Sequence, residues 1–299
     1  MSPLDAEIAA WLVEQDALPP RSSLTIEETR ERMRGMAAGS HPQMERVENV
    51  DAGGVAARQY WPAARQYWPK DDASLPLLVF FHGGRFISGD LESHDGFCRW
   101  LADACACRVL AVDYRLAPEH PFPAAAEDAA AATRWALTQS SAVGVAGDSA
   151  GGNLAAVAAL EIAGLRCQLL IYPMLDATRS APSHAEFAEG FGPGTDDMER
   201  GWALYAGDGP RESPRISPLY CGDLTNLPST LIQTAEYDTL RDEGEVYGER
   251  LRAAGNSVMV VRYAGSVHGF VTLPGRFELA RQAISDAGLF VRDRMALPA

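Results

Sequence analysis

Ala142-Val-Gly-Val-Ala146, Gly147-Asp-Ser-Ala-Gly151 and Gly152-Asn-Leu-Ala-Ala-Val-Ala-Ala-Leu-Glu-Ile162 follow one another without a break. The first segment reads as a strand, the last as a helix, and the five residues between them fit G-x-S-x-G. On composition alone that pattern arises in roughly one chain in ten of this length. Taken by itself it is equally a Gly-rich helix start with Ser149 as its cap. Set between a strand and a helix, it is the turn that presents a nucleophile. Its glycines flank a bend too tight for a Cβ, and Ser149 is forced into a strained, exposed position.

The same alternation recurs along the rest of the chain. Continuous apolar runs lie at Leu77–Phe81, Val109–Val112, Val143–Ala146, Gln168–Tyr172, Thr230–Thr234 and Val258–Val261. Helical patterns separate most of them, at His94–Cys105, Ala124–Leu137, Ala150–Ile162 and Arg241–Ala253, and Arg276–Arg294 closes the chain. Runs apolar on both faces that alternate with helices predict an α/β fold, a mostly parallel central sheet flanked by helices. Upstream, Ile8, Leu12 and Val13 follow helical spacing until Pro19-Pro20, and Ile26–Ala38 reads as a second helix that ends before Pro42. Glu45–Trp61 reads as a hairpin turning at Gly53-Gly54. Ala177–Pro218 breaks the alternation. It is rich in Gly, Pro and acidic residues, with one helix around Asp197–Tyr205, and is the candidate for a cap. The expected organisation is N-terminal cap helices over residues 1–45 and a catalytic domain over residues 46–299, with a cap insertion at about 177–218. Arg58-Gln-Tyr-Trp-Pro62 recurs as Arg65-Gln-Tyr-Trp-Pro69. One such event is too short for a repeat architecture and reads as a duplication that lengthens a surface loop.

A hydroxyl needs a base to take its proton. With this elbow the partners follow in the order Ser…Asp/Glu…His. Of the six histidines only His184 and His268 follow Ser149. His184 falls in the cap segment, with Asp176 as the nearby preceding acid. His268 falls in Ala264-Gly-Ser-Val-His-Gly-Phe270, just past the last strand, and is the expected base. The acid should end the preceding strand, Thr230–Ala235, after which come Glu236, Tyr237 and Asp238. Asp238 is expected to orient His268, with Glu236 and Asp242 as rivals. Asp242 fits better in the first turn of the next helix. Acyl transfer also needs oxyanion donors. The N–H of Ala150 and those of Gly83, Gly84 and Arg85, in the loop after Leu77–Phe81, are the candidates.

Jointly, Phe81-His-Gly-Gly-Arg-Phe-Ile-Ser-Gly-Asp90, Asp113-Tyr-Arg-Leu-Ala-Pro-Glu-His-Pro-Phe-Pro-Ala124, Gly147-Asp-Ser-Ala-Gly-Gly-Asn153, Tyr237-Asp-Thr-Leu-Arg-Asp-Glu-Gly244 and Val267-His-Gly-Phe270 resemble the hormone-sensitive-lipase-like esterases. These are the α/β hydrolases marked by an HGGG motif. The resemblance implies the α/β-hydrolase fold, a cap built from the N-terminal helices and the insertion, and hydrolysis of short-chain carboxylic esters with no cofactor or metal. The chain departs from the motif at Arg85, which stands at the third glycine. The donor there is a backbone N–H, which arginine retains. Nothing in the residues separates ester from amide or lactone hydrolysis. The presence of His268 argues against a ligand-binding homologue without turnover.

Over its 299 residues the chain is 47% apolar and 22% charged, an ordinary globular balance, with a formal charge of −14. That field excludes nucleic acid and anionic membrane as natural partners. It also disfavours strongly anionic substrates wherever no local site overrides it. The expected partners are a small-molecule ester and, as an oligomer, a homodimer. No apolar run reaches the roughly 18 residues of a membrane span. Met1–Glu14 has no basic residue and is not read as a secretory signal. Cys98, Cys105, Cys107, Cys167 and Cys221 show no CxxC spacing, which points to the cytoplasm.

Overall fold

A computed structural model of the chain describes residues 1–36, 39–63 and 75–296. Its strands are β1 (Met44–Asp51), β2 (Ala56–Pro62), β3 (Leu77–Phe81), β4 (Arg108–Val112), β5 (Val143–Asp148), β6 (Cys167–Ile171), β7 (Ser229–Tyr237) and β8 (Val258–Val267). They form one sheet in the order β1-β2-β4-β3-β5-β6-β7-β8. β1 pairs antiparallel with β2 and β2 with β4, while every pairing from β4 to β8 is parallel. This is the α/β-hydrolase fold.

Every residue of β3, β4, β5 and β6 is buried, as strands covered on both faces require. The pleat divides them between two cores. Leu77, Val79 and Phe81 join a core with the helices α4 (Ala124–Gln139), α5 (Ala150–Glu161) and α8 (Arg241–Ala253). Leu78 and Phe80 join the opposite core with α3 (Asp95–Cys105) and α9 (Glu278–Met295). The N-terminal helix α1 (Ala6–Asp16) is capped by the Asp5 carboxylate and lays Ile8, Trp11 and Leu12 on the second core. Trp11 packs edge-on against Phe277, ring centres 5.8 Å apart.

Helix α2 (Ile26–Met36) follows, and α6 (Ser183–Glu186) and α7 (Thr195–Ala206) lie in the segment between β6 and β7. Several expectations are refined. Val13 is 71% exposed, so the buried stripe of α1 runs through Trp11 instead. β7 and β8 run several residues past their apolar cores, because their polar ends pair with each other as far as Tyr237 and Val267. The end of the second expected helix, at residues 37–38, lies outside the described residues. The first Arg-Gln-Tyr-Trp-Pro copy forms the end of β2, the second strand of the expected hairpin. There Tyr60 is buried with its hydroxyl donating to Asp95 (2.9 Å), and Arg46 stacks 3.6 Å over the Trp61 ring. The second copy, at residues 65–69, lies outside the described residues.

Candidate active site

The polypeptide turns from β5 into α5 at Ser149, which has φ 55° and ψ −117°. A serine held there costs on the order of 1–3 kcal/mol, and such strain collects at functional sites. Both flanking glycines are required by close approach. A Cβ on Gly147 would strike the Gly151 carbonyl, and one on Gly151 would strike the Phe81 carbonyl of β3. The bend therefore places Ser149 above the C-terminal edge of the sheet and at the N-terminus of α5.

Ser149, His268 and Asp238 meet there, brought from three different strand ends. His268 Nε2 lies 3.0 Å from Ser149 Oγ, and His268 Nδ1 lies 2.8 Å from Asp238 Oδ2. Asp238 Oδ1 accepts the Leu240 N–H at 2.9 Å, which fixes the carboxylate plane. With Nδ1 protonated toward Asp238, Nε2 is left free to accept the serine proton. All three side chains are buried. The rival residues are engaged elsewhere. Asp242 accepts from Ser183 N and pairs with Arg241, and Glu236 accepts from Ser2 N and Gly265 N. His184 does not meet Asp176. It sits 2.9 Å from Glu243 Oε2, while Asp176 caps the turn through Thr178 and Ser180.

The loop after β3 is held from several sides. Tyr114 stacks on His82 (4.3 Å between ring centres) and donates its hydroxyl to the His82 carbonyl at 2.7 Å. Burial, reinforced by neighbouring His94, lowers the His82 pKa to about 4, so the ring is neutral at physiological pH. One of the four oxyanion expectations is corrected here. The Gly83 N–H donates to Asp148 Oδ1 at 2.7 Å and is not free to meet a substrate. Among the described residues the N–H groups of Gly84, Arg85 and Ala150 have no backbone acceptor. Arg85 adopts φ 56° and Phe86 φ 63°, the left-handed region. There a side chain costs about 1–2 kcal/mol relative to the right-handed one. Arginine thus keeps a glycine-like path at some expense. Its side chain turns out of the loop and across to α7, where Nη1 bonds Asp197 Oδ1 at 3.1 Å, both groups buried.

Sequence reasoning missed Asp148, which couples the Gly83 loop to the residue beside the nucleophile. Its signal was available, as the variable position of G-x-S-x-G. It also missed the buried Glu243–His184 pair and the Arg85–Asp197 bond, for which no local pattern exists. Trp11, Met33, Met36, Met198 and Leu273 give the cleft over Ser149 an apolar lining. Among the described residues no group of three or more His, Cys, Asp or Glu is arranged to hold a metal ion. No described helix is long and apolar enough to cross a membrane.

Comparison with known proteins agrees with this fold. The profile of a family described by its α/β hydrolase fold matches residues 78–272. The chain is 40% identical to esterase LipI of Mycobacterium tuberculosis over 90% of its own length and 89% of the relative's. It is 32% identical to an ethyl acetate hydrolase of Pseudomonas putida, over 94% and 96% of the two chains. Among solved structures, a thermostable esterase from Pseudomonas putida superposes with a TM-score of 0.90 at 32% identity, over 99% of each chain.

Proposed function

The chain belongs to the hormone-sensitive-lipase-like branch of the α/β hydrolases, and on that premise we propose that Ser149, His268 and Asp238 are the triad of a serine carboxylesterase acting on short-chain carboxylic esters. The observation that carries this reading is the unbroken hydrogen-bond chain from Ser149 Oγ through His268 to Asp238.

Ser149 attacks the ester carbonyl as His268 Nε2 takes its proton. Asp238 holds the ring and stabilises the imidazolium without taking the proton itself. The carbonyl oxygen, now an anion, is met by the N–H groups of Gly84, Arg85 and Ala150, the last at the positive end of α5. His268 then protonates the departing alcohol, leaving an acyl-Ser149. A water, deprotonated by the same nitrogen, attacks that acyl group and returns the enzyme and a carboxylic acid.

We assign residues 1–45 and the insertion at about 177–218 to the cap. In support, Trp11, Met33 and Met198 reach from α1, α2 and α7 into the cleft that contains Ser149. We place the enzyme in the cytoplasm. All five cysteines are free thiols and four are buried, as a reducing compartment allows.

The test is Ser149→Ala. It should abolish turnover of p-nitrophenyl butyrate, and a fluorophosphonate should label Ser149 alone in the unsubstituted protein. Appreciable turnover by the alanine variant would overturn the assignment.

A further inference from the structure

Two arginines that this chemistry does not use border the same cleft. Arg21 lies in the single 3-10 turn between α1 and α2, and Arg32 lies on α2. Both line the cleft that holds Ser149 and His268. They also line a second cavity, between α1 and the stretch 188–197, so they stand where the two spaces meet.

Their charge is only partly offset, by the Asp197 carboxylate. Among the described residues the Arg21 guanidinium has no hydrogen-bond or ion-pair partner. Arg32 donates only to neutral groups, Pro19 O at 2.8 Å and Gln15 Oε1 at 3.2 Å, and its Nε is buried without an acceptor. The Asp197 carboxylate is itself bonded to Arg85. The carboxylate that lines the cleft, Asp148, accepts the Gly83 N–H. Asp16, Glu189 and Asp196 are exposed on the second cavity, and neither Arg21 nor Arg32 forms an ion pair with them.

Burial, with Arg32 and Arg85 as like-charged neighbours, lowers the Arg21 pKa to about 10, which leaves it cationic at neutral pH. Arg21 and Arg32 are half-buried, and a guanidinium that has lost part of its hydration gains from a carboxylate, which matches its fork with two parallel bonds. The lining of the cleft that holds Ser149 sets Arg21, Arg32 and Arg85 against one carboxylate, Asp148, and this excess of positive charge runs against the chain's overall charge of −14, which would otherwise repel anions.

We infer that the enzyme's preferred esters carry a free carboxylate, which Arg21 receives, with Arg32 beside it, while Ser149 attacks the ester group of the same molecule. This rests on the reading of Ser149 as nucleophile.

Two matched pairs of esters test the inference and locate the carboxylate. Monomethyl adipate against methyl hexanoate places the charge on the acyl side. 4-Acetoxybenzoate against its methyl ester places it on the alcohol side. In one pair the ratio of kcat/KM for the anionic over the neutral ester should fall about 10- to 100-fold in Arg21→Gln and return in part in Arg21→Lys. Ratios unmoved in both pairs would overturn the inference, because a merely structural role would depress both members equally. A second arm needs no turnover. Calorimetry of monomethyl adipate and of 4-acetoxybenzoate with Ser149→Ala should show binding of one of them that weakens by a similar factor in Ser149→Ala/Arg21→Gln. Binding that is absent for both at millimolar ligand, or equal in the two proteins, would refute the carboxylate site. Failure to hydrolyse p-nitrophenyl butyrate would instead refute the esterase reading, with calorimetry still deciding the arginines.

Discussion

Arg85 Nη1 donates to Asp197 Oδ1 at 3.1 Å across 112 positions of sequence, joining the loop after β3 to the first turn of α7. The bond ties the loop that carries the oxyanion donors to a helix over the cleft. Asp197 also accepts the Gly194 N–H through its other oxygen, so one carboxylate serves both the loop and the helix cap.

Asp197→Asn keeps the size and the cap acceptor but leaves the buried guanidinium without a counter-charge. Breaking one side of a buried pair typically costs about 3–5 kcal/mol. The midpoint of urea unfolding should fall by the corresponding amount, near the lower end because both side chains keep about a tenth of their surface in water. A loss below about 1 kcal/mol would mean that water already screens the pair.

Arg85→Gly asks whether the oxyanion donor survives the departure from the HGGG motif. Losing one such donor costs about 2.7–4 kcal/mol of transition-state stabilisation, 10² to 10³ in kcat. With the N–H held by the left-handed loop path, restoring glycine should change kcat by far less. A rise by the full factor, with Ser149 labelling intact, would show that arginine had withdrawn it.

Asp238→Asn should be severely impaired, whereas Asp242→Asn should keep most of its rate. Of the two aspartates it is Asp238 that bonds His268, while Asp242 serves Ser183 and Arg241. His268→Ala should lose several orders of magnitude in kcat with little change in stability. The opposite ranking of the two aspartates would exchange their roles.

Chain length should matter in a cleft closed over by Met33, Met36, Met198 and Trp11. Among p-nitrophenyl esters, rates should peak at roughly two to eight acyl carbons, each buried methylene adding up to about 0.8 kcal/mol until the space ends. A preference for palmitoyl over butyryl would mean an open groove.

Stability should depend on pH through Glu243. Its Oε1 accepts the Leu175 N–H at 2.5 Å and its Oε2 faces His184, but burial dominates and raises the pKa to about 7. An acid whose folded value lies above its unfolded value of about 4.3 binds its proton more tightly in the folded chain. Its stabilising contribution is therefore full below about pH 4 and is lost as the pH rises to about 7. Unfolding midpoints measured from about pH 5 to 8 should fall more steeply for the unsubstituted protein than for Glu243→Gln. Equal slopes would show that the carboxyl titrates at its ordinary value.

Much of the site could be read from the chain because its chemistry is punctuated by the fold. Ser149, Asp238 and His268 each sit where a strand ends, and strand ends are visible as the edges of apolar runs. What local pattern does not carry is direction. The Gly83 N–H points at Asp148 rather than at the cleft, and only the packed loop shows this. Nor does it carry partners chosen across the fold. Glu243 finds His184 59 residues away, and in both sequences the local reading is simply a polar residue near a helix. Val13 was misjudged because spacing marks a helical face within one position, and Trp11 took that face.

Gly201 is a residue selected for what it lacks. Inside a helix, glycine forgoes about 1 kcal/mol against alanine, yet a methyl group there would sit 2.6 Å from the Arg85 Cβ. In α7 taken alone, alanine would be the better choice. In the assembled protein it would collide with the stem of the arginine that crosses beneath. The two positions thus constrain each other as a lock constrains its key: arginine at 85 is tolerable only while 201 stays bare. A change at either site has to be judged with the other, even though 116 residues separate them on the chain.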